Sequence, residues 1–145
     1  MSELAVEKLA VEIGEIHELF TALTTGEYDR FLEGCADDLT VVVRHDRQTA
    51  VLERGDVRGW FEQRYWASGA TLCSAPSSVV TAAGRAVVVL SHALRRDGVG
   101  WQYETINLCD FDDDGLLFRW TVNPSNLLEY AQAWGLLPEV RLLPV

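Results

Sequence analysis

Residues 85–123 read RAVVVLSHALRRDGVGWQYETINLCDFDDDGLLFRWTVN and carry the densest structural signal in the chain. Three runs rich in β-branched and aromatic residues are separated by Asp97-Gly98 and by Asp112-Asp113-Asp114-Gly115, the turn chemistry of antiparallel hairpins. Upstream, ATLCSAPSSVVTA (70–82) reaches the first of these runs through Ala83-Gly84, so a meander of four strands is predicted. In RAVVVLSHAL both alternating sets are apolar: Ala86, Val88, Leu90 and Leu94 on one face, Val87, Val89 and Ala93 on the other. An antiparallel strand with one wet face alternates apolar and polar residues. This strand is therefore expected to be covered twice, by helices on one face and a second subunit on the other.

The first half of the chain reads mainly as helix. Leu9, Ile13, Ile16, Phe20 and Leu23 recur at three- and four-residue spacing up to Gly26, one face of an amphipathic helix. EYDRFLEGCA (27–36) is a short second helix with Tyr28, Phe31, Leu32 and Cys35 on its apolar side, and DDLTVVVRH (37–45) a strand. RGDVRGWFEQRYWAS (54–68) is a third helix with Asp56 as its predicted N-cap, a role that accounts for the Arg-Gly-Asp tripeptide without adhesion. PSNLLEYAQAWG (124–135) closes the chain with a last short helix. Helices first and strands last is an α+β layout, one domain over 1–145.

Composition narrows the function. The net charge is −10 and the only lysine is Lys8, so a polyanion would be repelled and no nucleic-acid partner is expected. No apolar run approaches a membrane span, and MSELAVEKLAVEIGEIHELF is acidic and amphipathic rather than a signal peptide. A soluble cytoplasmic protein is expected. Cys35, Cys73 and Cys109 form no C-x-x-C pair and sit among apolar neighbours. They read as small core residues rather than a zinc site or disulfide framework. The signatures of serine hydrolases, zinc proteases, phosphate loops and dinucleotide-binding folds are absent from the sequence.

GCADDLTVVV, LERGDVRGWF and NLCDFDDDGLLFRWTVN stand in an order that resembles the nuclear transport factor 2-like superfamily. Within it the chain is most similar to the SnoaL-like polyketide cyclases and the ketosteroid isomerases. The resemblance covers roughly residues 10 to 135. It implies a cone-shaped, curved antiparallel sheet wrapped by the N-terminal helices around an apolar pocket, dimerisation through the outer sheet face, and no cofactor.

DFDDDG has the beginning of a calcium loop, but a loop starting at Asp110 needs a glutamate at its twelfth position, which is Thr121. Strands flank it where helices are required, so no metal is expected. On the family pattern, Trp101, Tyr103, Thr105 and Asn107 face inward, with Leu90, His92 and Leu94 on one side and Phe118, Trp120 and Val122 on the other. His92 is then a candidate general acid/base, or plainly a hydrogen-bonded core histidine. Asn107 occupies the place of the isomerase oxyanion donor, where an amide could donate to a substrate carbonyl, or else it caps the strand end. The isomerase general-base carboxylate is replaced by Val43, with His45 at the pocket rim; Tyr65 and Trp66 fall near the mouth, and His17 on the helix surface. The resemblance implies a cofactor-independent cyclase or isomerase of a hydrophobic, polyketide-like molecule, working by acid/base catalysis. Alternatively it templates a pericyclic ring closure, as in indane-forming polyketide cyclases. A non-catalytic binding or assembly module of the same fold is the alternative of a different class.

Overall fold

The computed structural model describes residues 2–45 and 48–136. Helix α1 (Glu3–Thr24) starts behind Ser2, whose hydroxyl accepts the Ala5 N–H at 3.2 Å. Its second half buries Ile16, Phe20, Ala22 and Leu23, and α2 (Tyr28–Glu33) buries Phe31. Strands β1 (Cys35–His45) and β2 (Gln48–Glu53) pair antiparallel, followed by a 3-10 turn over Arg54–Asp56 and helix α3 (Val57–Ala67). The remainder is β3 (Cys73–Ala82), β4 (Arg85–Arg96), β5 (Val99–Phe111), β6 (Leu117–Pro124) and α4 (Leu127–Trp134).

The six strands lie in the order β2-β1-β6-β5-β4-β3, in a curved sheet that does not close on itself. The β3–β6 meander is antiparallel, as expected. The sheet as a whole is mixed, not antiparallel, because β1 pairs parallel to β6. Some seventy residues separate these strands, and no local pattern encodes a pairing at that distance. Strand β2 is a short edge strand with mostly exposed residues, too weak a pattern to mark a strand in the sequence.

Phe20, Phe31 and Phe61 surround Trp120, with ring centroids 5.4–5.6 Å from the indole, which is fully buried. This cluster fastens α1, α2 and α3 to the inner face of β6. A second cluster joins Leu94 and Tyr103 to Tyr130 and Ala133 of α4. Between the two lies the cavity.

Three local expectations are corrected. Asp56 holds the N-cap position of α3 as expected, but its side chain makes no capping bond to that helix; its carboxylate accepts the Glu53 N–H at 3.0 Å and closes the preceding 3-10 turn. Cys35 and Cys109 are buried, but Cys73 begins β3 with its side chain exposed, because strand alternation outweighs the apolar residues beside it in sequence. Phe118 does not continue the inward row. Asp110 pairs with Arg119 and Phe111 with Leu117, so Phe118 is the extra residue of a bulge and Leu117 takes the buried position.

Candidate functional site

A cavity of about 500 Å³ opens between the inner sheet face and the helices. Leu90, His92, Tyr103, Thr105, Asn107 and Val122 supply its sheet wall, and Ser74 joins them from β3. Trp60, Phe61, Glu62, Arg64, Tyr65 and Trp66 of α3, the Leu23–Gly26 end of α1, Tyr28, Leu72 and Tyr130 complete it. Tyr65 and Trp66 are exposed.

Strand register assembles the polar floor. His92 on β4 pairs with Ser74 on β3 and Tyr103 on β5, and Leu90 pairs with Thr105. The imidazole bridges two hydroxyls: Nδ1 is 2.6 Å from Ser74 Oγ, and Nε2 is 2.8 Å from Thr105 Oγ1. Tyr103 stacks on the ring with centroids 4.6 Å apart. Beneath them, the Trp120 indole N–H donates to Asn107 Oδ1 at 2.9 Å. Indole nitrogen is only a donor, which fixes the amide orientation. Asn107 Nδ2 then donates to Val88 O and to Thr105 Oγ1, both at 3.1 Å.

Thr105 Oγ1 accepts from Asn107 and keeps one hydrogen and one lone pair for His92 Nε2, so the His92 tautomer sets the direction of the rest. In the tautomer with the proton on Nδ1, Thr105 donates to Nε2, Nδ1–H donates to Ser74 Oγ, and the serine hydrogen is left for the cavity. Donors then run in one direction, Trp120 to Asn107 to Thr105 to His92 to Ser74, and such chains strengthen each other in a low-dielectric interior.

Burial sets the electrostatics. The edge of the His92 ring reaches the cavity, yet protein encloses it closely enough that desolvation lowers its pKa from 6.5 to about 4. The imidazole is therefore neutral at pH 7. Burial likewise raises the Tyr103 phenol far above its ordinary value. The Trp134 indole N–H lies near enough to oppose part of that rise, without meeting good hydrogen-bond geometry.

Of the residues expected at the site, His92, Asn107, Leu90, Tyr103, Thr105, Val122, Tyr65 and Trp66 line the cavity. Four do not. Val43 is packed in the main core, and Trp120 lies under Asn107 within its aromatic cage. Trp101 pairs with Leu94 toward the end of the β4–β5 hairpin, with Arg96 over its ring. Phe118 is displaced by its bulge. The His45 backbone ends β1 opposite Gln48, while its side chain lies outside the described residues. His17 is an exposed residue of α1. Asn107 reaches the cavity, but both its N–H hydrogens are donated within the protein, so within the polar floor it is the Ser74 hydroxyl that can meet a substrate carbonyl. Sequence reading passed over Ser74 and Arg64. A serine in a serine-rich strand carries no periodic mark, and only its register opposite His92 selects it.

The Asp-rich turn is accounted for locally. Asp112 Oδ1 accepts the Asp114 and Leu116 N–H groups, and Asp110 pairs with Arg85 at 3.1 Å. Among the described residues no group of three or more potential ligands converges as a metal site.

The mixed sheet with helices packed over its cavity-bearing face matches known structures over nearly its whole length. The structure of Bal32a, from a soil-derived mobile gene cassette, superposes with a TM-score of 0.73 at 14% identity, covering 86% of this chain and 98% of its own. The fold is nuclear transport factor 2-like. IdmH, solved as a 96–104 loop truncation variant, matches with a TM-score of 0.68 at 13% identity, over 81% of this chain and 94% of that one. TerC, co-crystallised with polyporic acid, matches at 0.66 and 15%, over 81% and 96%. No family model matches the sequence, and no curated protein matches it. At these identities the likeness is one of nuclear transport factor 2-like fold. Chemistry must be argued from the cavity.

Proposed function

We propose that the chain is a cofactor-independent cyclase or isomerase of a hydrophobic, polyketide-like small molecule. The observation that carries this reading is the neutral His92 imidazole held between two cavity-lining hydroxyls. Forming an imidazolium here is costly, because burial opposes the charge. A proton entering one ring nitrogen while another leaves the opposite nitrogen avoids that cost. Consider a ketone with its α-carbon at Thr105 and its carbonyl oxygen at Ser74. The α C–H proton goes to Thr105 Oγ1, the Thr105 proton to His92 Nε2, the Nδ1 proton to Ser74 Oγ, and the serine proton to the carbonyl oxygen. The C–H electron pair becomes the enol double bond, and no charge is left on the protein. The enol carbon is the nucleophile that a ring closure needs, and reversal of the relay at another carbon is an isomerisation. Asn107 and Trp120 act as positioning residues that orient Thr105.

The test is solvent exchange. In D2O the protein is expected to accelerate loss of the α-protons of a probe ketone, 2-tetralone, as followed by NMR. His92→Phe and Ser74→Ala should each reduce that acceleration by about 10²–10⁴-fold, the usual worth of a positioned acid or base. Exchange unaffected by wild-type protein retires the proton-transfer chemistry in favour of templating or simple binding.

We further propose a homodimer through the outer sheet face. Val80, Val87 and Leu108 lie side by side across β3, β4 and β5 and are exposed, with Val89 and Ile106 in the adjoining row. A contiguous apolar face of this kind marks an interaction surface.

A further inference from the structure

Arg64 stands apart among the charged groups of the cavity. Its guanidinium carbon lies 4.9 Å from the Trp60 ring centroid and 5.2 Å from that of Trp134. It lines the cavity and is half-buried, but makes no hydrogen bond or ion pair with any described residue. Other arginines are engaged: Arg58 with Glu62 at 2.9 Å, Arg85 with Asp110, Arg96 with the carbonyls of Gln132 and Ala133, and Arg54 with the Leu32 carbonyl. Among the described residues, Glu62 is the only acidic side chain lining the cavity, and it is the one held by Arg58. In a chain with net charge −10, the described cavity lining therefore presents one uncommitted charge, and it is positive.

A guanidinium that rests on aromatic rings leaves its in-plane N–H groups free, and that fork fits a carboxylate with two parallel bonds. We infer that Arg64 is a carboxylate-recognition residue, and that the ligand of this cavity is an aromatic or conjugated acid whose flat body lies against the aromatic side chains of α3 that line it, Trp60 foremost. A phosphate monoester fits less well, since one guanidinium cannot neutralise its second charge and the same cavity is lined by the Glu62 carboxylate. The acid end does not overlap the reaction end. Tyr103 stacks on His92 with one face, and its hydroxyl feels the Arg64 charge, so the phenol ring separates the two. The inference rests on the proposed ligand cavity and deepens it by naming the substrate class and the residue that selects it.

Binding of matched probes tests it, with the cavity tryptophans as fluorescence reporters. 2-Naphthoate and the isosteric neutral 2-naphthamide are titrated into the full chain, with 2-naphthyl phosphate as a third arm. Wild type should bind naphthoate about tenfold more tightly than naphthamide, the worth of one charge-assisted bond pair, and more tightly than the phosphate. Arg64→Gln should erase the preference by weakening naphthoate far more than naphthamide, and Arg64→Lys, which keeps the charge and loses the fork, should retain part of it. Equal binding of naphthoate and naphthamide by wild type overturns the inference, as does a preference that survives in Arg64→Gln, or no binding of either probe. Tighter binding of the phosphate overturns the carboxylate assignment. His92→Gln should keep the naphthoate preference, so a failed proton relay and a failed acid subsite register in different measurements.

Discussion

At His92 a single ring links the stability of the protein to its chemistry. Its folded pKa of about 4 lies below the unfolded value of 6.5, so between these limits the unfolded chain binds the proton and the folded chain does not. Stability therefore rises with pH across that window, and is lost as pH falls from about 6.5 toward 4. Because the ring borders the cavity rather than lying in closed core, the effect is softened to a loss on the order of 2 kcal/mol. Urea unfolding of wild type and His92→Phe at pH 7.5 and pH 4.5 should show the extra loss in wild type alone; parallel losses in both would refute a buried neutral imidazole. The same titration predicts turnover that is flat across neutral pH and falls only as pH approaches 4, where the imidazole gains its second proton. Asn107 is the structural counterpart. Asn107→Ala removes the acceptor of the fully buried Trp120 N–H and leaves a void under the cavity floor, at a cost of about 2–4 kcal/mol. A loss below 0.5 kcal/mol would mean that the buried chain does not hold the floor together.

Among the elements, the hairpin turns were the most legible and the helix–strand junctions the least. Asp97-Gly98 and Ala83-Gly84 each close a two-residue hairpin with φ positive at both residues, +55° and +76°, +50° and +79°. Glycine and aspartate suit that backbone, whereas alanine adopts it at a cost. Ala83→Asn should therefore stabilise the protein by about 0.5–1 kcal/mol, raising the melting temperature by a few degrees. A lower melting temperature would show that another interaction at the exposed turn outweighs the backbone term. Strands β4 and β5 have the bounds the sequence predicts, because their apolar runs end at those turns. The bulge at Phe118 was not legible. It arises where β6, held between β5 and β1, shifts register against both between Leu117 and Arg119, and the residues LLFRW carry equally good strand propensity in either phase.

For the molecule as a whole, the outer face predicts assembly. Sedimentation at micromolar concentration should give about twice the 16.2 kDa chain mass, and Leu108→Arg should return the protein to monomer without unfolding it. A wild-type monomer at that concentration would leave the apolar face of β4 uncovered and defeat the proposal. The chain's own order of hydrophobic periods determined the α+β class, the four-strand meander, the helix faces and the two-sided character of β4, because each is set by neighbours within a few residues. It also put Tyr103, Thr105 and Asn107 on one face of β5, since side chains two apart on a strand share it, while the family resemblance supplied the expectation that His92 faces the same side. Only the tertiary structure decided the parallel β1–β6 pairing, the removal of Val43, Trp101, Phe118 and Trp120 from the cavity, and the arrival of Ser74 and Arg64 within it. Those outcomes depend on register and packing between segments far apart in sequence. Strand periodicity says which face a side chain takes, but not which distant group it will meet there.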